Sequence, residues 1–361
     1  MLPPVFVGHE IYRQAAYGSH HPLAIPRVET ATDLCRALGW LGEGCFRLSP
    51  RASEEQLARF HSDAYVKALR AASAAGFVPP QARQRHALGT MENPLFPGVF
   101  ERASTSVGGS IRAAGLALEG RVAFHPAGGT HHGRPDRASG FCYFNDPVFA
   151  ILTLLEGAVQ RLLYVDLDAH HGDGVQDAFE HDPRVHTVSI HEQGRWPHTG
   201  PADDVGGGRS RNLPVPRAFN DSELFFLIDE VVMPLAERLR PEAVVLTCGA
   251  DALEGDPLSA MALSNVALWS VVERLSRLAP ATVVLGGGGY NPWTVARYWA
   301  GLWGVLSDKQ IPCALAPAAR AVLEPLSCDL VDDEDVREGW RTTLADAPNP
   351  GPVRKEIHGL V

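Results

Sequence analysis

The sequence predicts an α/β protein in which a single parallel sheet is covered by helices on both faces, and three observations lead there. Short, almost wholly apolar runs rich in β-branched residues recur along the chain, as strands buried on both faces require. Amphipathic stretches separate these runs, and strand alternating with helix indicates parallel pairing. Polar clusters follow several runs directly, where open parallel sheets form ligand sites beyond the carboxyl ends of their strands.

The predicted strands are Val5–Val7, Arg121–His125, Arg161–Asp166, Val185–Ile190, Ala243–Thr247 and Thr282–Leu285. Ser53-Glu54-Glu55-Gln56 has the form of a capping box, in which the first and last side chains satisfy backbone N–H groups of the first helical turn. It opens a helix expected to run through Phe60, Tyr65 and Leu69. Asp221–Arg238 and Leu263–Leu278 are two further amphipathic candidates. Gly206–Gly208 and Pro214-Val215-Pro216 read as loops, and the Pro- and Asp-rich stretch after about Ser307 shows no clear pattern. Without repeats or low-complexity linkers, residues 1–361 read as one domain, with segment 307–361 packed on it or extending it.

Composition narrows the function. Hydrophobic residues make up 45% and charged residues 20% of the 361, the balance of a globular protein with a sizeable core. A formal charge of -10 and a pI near 5.8 argue against nucleic acid as the main partner, because a phosphate backbone rewards dense basic patches. The longest basic cluster, Arg83-Gln84-Arg85-His86, is too short to change that. The six cysteines form no Cys-x-x-Cys pair, which suits reduced thiols in the cytoplasm. Residues 1–18 lack a leader pattern and no apolar run reaches the length of a membrane span, so a protein free of membranes is expected.

The chemistry gathers after the strands. Asp168 and His170 are two apart, so on an extended strand tip both side chains can meet one ion, and Asp251 after another strand can supply a third ligand. Two carboxylates and one imidazole suit zinc or ferrous iron with a position left open. Capping of a helix start is the plainer reading of Asp-x-His, but the run Asp166-Leu-Asp168-Ala-His170-His171-Gly-Asp173-Gly is too dense in polar groups for that alone. His131 and His132 follow Gly128-Gly129 and are either a structural pair or, with carboxylates such as Asp166 and Asp173 behind them, acid and base groups. Tyr290 ends the run Gly286–Gly289, which lacks the spacing and lysine of a phosphate loop; a tyrosine there can aim its hydroxyl at a developing oxyanion.

Taken together, Gly128–His132, Ala138–Asp146, Tyr164–Val175, Gly249–Asp251 and Gly286–Tyr290 resemble the zinc-dependent histone deacetylases, a family that includes acetoin-utilisation-type deacetylases and acetylpolyamine amidohydrolases. The similarity runs from about His21 to Leu306, with the motifs in the family's order. It implies one zinc on Asp168, His170 and Asp251, with His131 oriented by Asp166, His132 by Asp173, and Tyr290 polarising the acyl carbonyl. It also implies a narrow acyl-lysine tunnel walled by Phe141 and Trp196, with Gly140 at its lip and Trp196 where the family usually has Phe. Arg27 matches an arginine beneath the metal near an acetate-release channel. Glu92 falls near a rim carboxylate that grips substrate amides, where the family has Asp. A structural potassium ion near Asp166 and Ser189 is implied as well.

A dinuclear, arginase-like site needs additional aspartates, and Gly172 and Gly249 stand where they would be, so one metal is expected. A silent reader of acylated lysine would not need every position filled by a reactive residue. The expected substrate is acetyl-lysine in proteins or peptides, with acetylpolyamine, another small amide or a longer-chain acyl-lysine as alternatives. Leu258 is apolar where a carboxylate could hold a polyamine's second ammonium, which favours the protein substrate.

Overall fold

The computed structural model describes residues 2–14 and 17–361; Met1, Ala15 and Ala16, part of the stretch read above as lacking a leader, lie outside the described residues. Eight strands form one sheet: β1 Leu2–Gly8, β2 Phe46–Leu48, β3 Arg121–His125, β4 Leu162–Asp166, β5 Val185–Glu192, β6 Ser210–Val215, β7 Ala243–Thr247 and β8 Ala281–Leu285. Their order is β2-β1-β3-β8-β7-β4-β5-β6, and every pairing is parallel.

Alternate residues of the central strands feed two separate cores. Leu163 and Val165 of β4 and Val244 and Leu246 of β7 point to one face, where Val28–Ala37, Asn265–Ser276 and Pro292–Leu306 pack. Leu162 and Tyr164, with Ala243 and Val245, point to the other, covered by Val99–Leu118 and Asp146–Glu156. This period of two, apolar on both faces, is why these strands read as unbroken hydrophobic runs. The four central strands β3, β8, β7 and β4 are adjacent, and each of the four polar clusters follows one of them.

Three sequence expectations are corrected. The capping box forms as predicted, but its helix stops at Leu57, and a second helix, Asp63–Ala75, starts under its own cap, Ser62. Ser62 offers its hydroxyl to the N–H of Tyr65, which restarts the helix after a break that the continuous apolar spacing concealed. Pro214 and Val215 lie in β6, not in a loop; β6 is an edge strand, where a missing N–H costs no ladder bond. Asp221–Leu239 is helical but carries a π-type turn over Ile228–Val232. Strand β2, three residues long, carried no sequence signal.

The segment after residue 306 is ordered. Leu323, Trp340, Leu344 and Ile357 join the same core as the helices on that face. No helix among the described residues is long and apolar enough to cross a membrane, and all six cysteines are free.

Candidate active site

Asp168 follows β4 and Asp251 follows β7, so two neighbouring strand ends deliver two carboxylates to one point. His170 Nδ1 lies 3.1 Å from Asp168 Oδ1 and 2.9 Å from Asp251 Oδ2, and all three residues are buried. The remaining carboxylate oxygens are held by the protein's own amides: Gly288 N–H donates to Asp168 Oδ2 at 2.6 Å and Ala169 N–H to Asp251 Oδ1 at 3.0 Å. A Cβ at Gly288 would stand 2.0 Å from Asp251 Oδ2, so the close approach of this backbone depends on glycine. None of the three caps a helix; the next one begins at Asp173 with Gly172 as its N-cap.

The paired histidines come from the loop after β3. His131 Nδ1 donates to Asp166 Oδ2 and His132 Nδ1 to Asp173 Oδ1, each at 2.7 Å, and the two rings lie 3.9 Å apart. Burial alone would lower His131, but the charges of Asp166 and Asp168 push it up to about 9. Burial and the neighbouring His131 bring His132 down to about 3. Of the two rings, His131 is the one that favours a positive charge. His132 lines the tunnel, whereas His131 sits deeper, with its Nε2 3.8 Å from Asp168 Oδ1.

The tunnel has a volume of about 260 Å³. Its lining includes Glu92, His132, Gly140, Phe141, His170, Trp196, Leu258 and Tyr290, and also Arg195. Trp196 meets His132 edge to face at 4.6 Å, and a Cβ at Gly140 would strike the Trp196 ring at 2.3 Å, so the broad indole fits only beside glycine. The hydroxyl of Tyr290 makes no hydrogen bond among the described residues, and its ring faces Phe141 and His170. Glu92 uses one carboxylate oxygen on the protein itself, accepting the Gly140 N–H at 2.5 Å.

Arg27 does not reach the tunnel. It bonds the Gly287 carbonyl, lies 5.0 Å over Trp299, and lines a separate cavity of about 110 Å³ that shares Phe141 with the tunnel. Asp166 and Ser189 pair across the β4–β5 ladder, but the Ser189 hydroxyl bonds His191.

Comparison with known proteins places this constellation. The histone deacetylase domain model matches residues 21–306. Acetoin utilization protein AcuC of Bacillus subtilis is 35% identical over 322 residues, covering 84% of this chain and 82% of the relative. Human Histone deacetylase 1 is 36% identical over 304 residues; the match covers 82% of this chain and 63% of the longer human protein. Among solved structures, an HDAC homolog complexed with SAHA and an HDAC homolog from Aquifex aeolicus each superpose with a TM-score of 0.95 at 35% identity, covering 99% of this chain and 98% of theirs. This chain belongs to the histone deacetylase family. It is a hydrolytic deacetylase.

Histone deacetylases depend on zinc, and the Asp168, His170 and Asp251 trio fits such an ion: one ligand atom from each lies within 4.8 Å of the others. Two buried carboxylates around one imidazole demand positive charge. Burial opposes a charged His170, yet the hydrogen bonds to Asp168 and Asp251 push it up to about 10, so a proton on the ring stands where a cation is called for.

Sequence reasoning missed several residues that shape this deacetylase's site. Asp146 gathers the N–H groups of Gly129 and Thr130 and the Ser110 hydroxyl, fixing the loop that carries the histidines. Arg134 bonds both Asp173 and Asp177. Arg195 is gripped along one edge by Glu192, at 2.9 and 2.8 Å, and so is held at the tunnel mouth. Asp256 accepts the N–H groups of Tyr290 and Leu258. Of these only Asp146 fell in a run named above, Ala138–Asp146, and it carried no role there.

Proposed function

We propose that this deacetylase removes acetyl groups from acetyl-lysine in proteins or peptides in the cytoplasm. The mouth of the tunnel carries the choice of substrate. Leu258 is apolar, so its position offers a polyamine's second ammonium no carboxylate, and the Arg195 guanidinium lines the same tunnel. A peptide backbone brings no such charge. Glu92, with one oxygen still without a hydrogen bond among the described residues, can accept a substrate amide.

In this reading Asp168, His170 and Asp251 hold one zinc ion, which when bound supplies Lewis acidity toward the acyl oxygen and lowers the pKa of water toward about 7. His132 faces the tunnel and takes the proton of the attacking water through its free Nε2, while Asp173 fixes its Nδ1 tautomer. Tyr290 donates its hydroxyl to the developing oxyanion. The leaving amine receives a proton from the histidine pair, His131 holding charge against Asp166. Phe141 and Trp196 exclude water around the acyl chain, Gly140 leaves room at the lip, and Arg27 lines the cavity beneath, into which acetate can depart. A potassium ion beside Asp166 and Ser189 belongs to the same proposal, as a structural element.

Parallel turnover of an acetyl-lysine peptide, acetylputrescine and longer-acyl peptides tests the substrate. The acetyl-lysine peptide is expected to give the highest kcat/KM; a clear preference for acetylputrescine overturns the choice.

A further inference from the structure

The glycine run before Tyr290 is pinned by the Gly288 N–H on Asp168 and by Arg27 on the Gly287 carbonyl, but neither bond holds Tyr290 itself. Four glycines precede the tyrosine, and Gly289 has a φ of 132°, outside the range that side chains impose on a backbone. The N–H of Tyr290 is held from outside that run.

Asp256 does so from a different strand end. Its carboxylate is buried, with Oδ2 accepting the Tyr290 N–H at 2.7 Å and Oδ1 accepting the Leu258 N–H at 2.9 Å. One carboxylate thus ties the backbone of the tyrosine to that of a residue at the tunnel mouth. The neighbouring bond runs the other way: Asn291 Nδ2 donates to the Gly255 carbonyl at 2.9 Å. The Glu254–Asp256 turn is in turn backed by the segment beyond the matched domain. Arg337 pairs with Glu254 at 2.9 Å, Trp340 packs so closely on Gly255 that a Cβ there would stand 2.8 Å from it, and the Cys328 thiol faces the Tyr290 carbonyl at 3.5 Å.

We infer that Asp256 is a positioning residue for Tyr290: its carboxylate sets where the tyrosine hydroxyl stands, couples that position to Leu258 at the mouth, and is held in place by the C-terminal segment. The inference rests on the reading of Tyr290 as the oxyanion donor. Two N–H groups converging on the two oxygens of one carboxyl group fix its plane, which suits a residue that must not drift. Displacing a reacting group by about 1 Å can cost roughly 100-fold.

Asp256→Asn keeps the shape but leaves one carbonyl oxygen for two N–H donors, with an amide group facing the other. It is expected to lower kcat about 10- to 100-fold with KM little changed. The deciding measurement is a double-mutant cycle on the zinc-loaded enzyme with a trifluoroacetyl-lysine peptide, whose activated carbonyl keeps Tyr290→Phe measurable. In the Tyr290→Phe background, Asp256→Asn is expected to cost less than about 3-fold, because the hydroxyl it positions is gone. An equal loss in both backgrounds, or no loss in either, overturns the inference. A Tyr290→Phe enzyme with unchanged kcat overturns instead the reading beneath it. Melting temperature and zinc content check that Asp256→Asn is folded and loaded, and Asp256→Ser, smaller than the carboxylate, must give the same pattern. Labelling with 3-fluorotyrosine adds a readout independent of turnover: the Tyr290 ¹⁹F resonance is expected to shift or broaden in Asp256→Asn, and an unchanged line overturns the positioning role.

Discussion

The two walls of the tunnel are each held by a buried aspartate, and the two aspartates live in opposite electrostatic surroundings. On the histidine wall, burial raises Asp173, but its hydrogen bond to His132 and the charges of His132 and Arg134 outweigh that and bring it down to about 2. On the tyrosine wall, burial and the charge of Asp251 push Asp256 up to about 7, against only two backbone N–H donors. Asp173 sits among cations; Asp256 makes no hydrogen bond to any cationic side chain among the described residues. A group that must exchange protons is thereby held by a charge network that tracks its own charge. Tyr290 is held instead through its backbone N–H, by a carboxyl group that no cationic side chain among the described residues bonds.

The largest effects are expected from the residues these aspartates hold. His132→Ala removes the proposed proton acceptor and is expected to lower kcat about 10²- to 10⁴-fold. Tyr290→Phe is expected to cost about 10²- to 10³-fold. The contrast sharpens in the pH profile of kcat/KM: its acidic limb should disappear with His132 and persist without the tyrosine hydroxyl. A His132→Ala enzyme that kept both the rate and the limb would break the assignment of the two walls.

Asp173→Asn comes next. It keeps the volume but weakens the hold on the His132 tautomer, and groups of this kind typically cost about 10- to 100-fold in activity when removed. Arg134→Gln should cost less, because Asp173 keeps its bond to His132 when the guanidinium is gone. Steady-state kinetics on zinc-loaded enzyme rank the two; Arg134→Gln matching Asp173→Asn would mean that the arginine, not the aspartate, sets the histidine's position.

The same contrast explains how much of the site could be read from sequence. The histidine wall joins residues 35 and 41 apart, but its members fall in two dense polar runs, one directly after β3 and one from the end of β4, so His131, His132, Asp166, Asp168, His170 and Asp173 stand out after apolar strands. The central strands were legible for a related reason, since burial on both faces leaves them wholly apolar. On the tyrosine wall Asp256 stands outside any dense polar run, and Arg337 lies 83 residues after its partner Glu254. No local pattern encodes such a meeting. Edge strand β6 was hidden by Pro214 within it and Pro216 just after it, and the break between Leu57 and Asp63 by apolar spacing that runs unbroken across two helices.

The most direct comparison of the two aspartates is stability against pH in the metal-free protein. Asp173 has a folded pKa of about 2, below its ordinary 3.8, so its ionised form stabilises the fold above pH 3.8 and that contribution is lost as pH falls toward 2. The shift corresponds to about 2 kcal/mol. Asp256 has the opposite sign: its folded pKa of about 7 lies above 3.8, so the neutral form is favoured and ionisation costs stability as pH rises from 3.8 toward 7. Urea unfolding across this range should therefore show wild type losing its advantage over Asp173→Asn on acidification. Against Asp256→Asn, wild type should lose ground as pH rises from 3.8 toward 7. Slopes of the same sign for both variants would show that the walls are electrostatically alike. Opposite slopes would show that one wall is poised to carry charge and the other only to hold a ring.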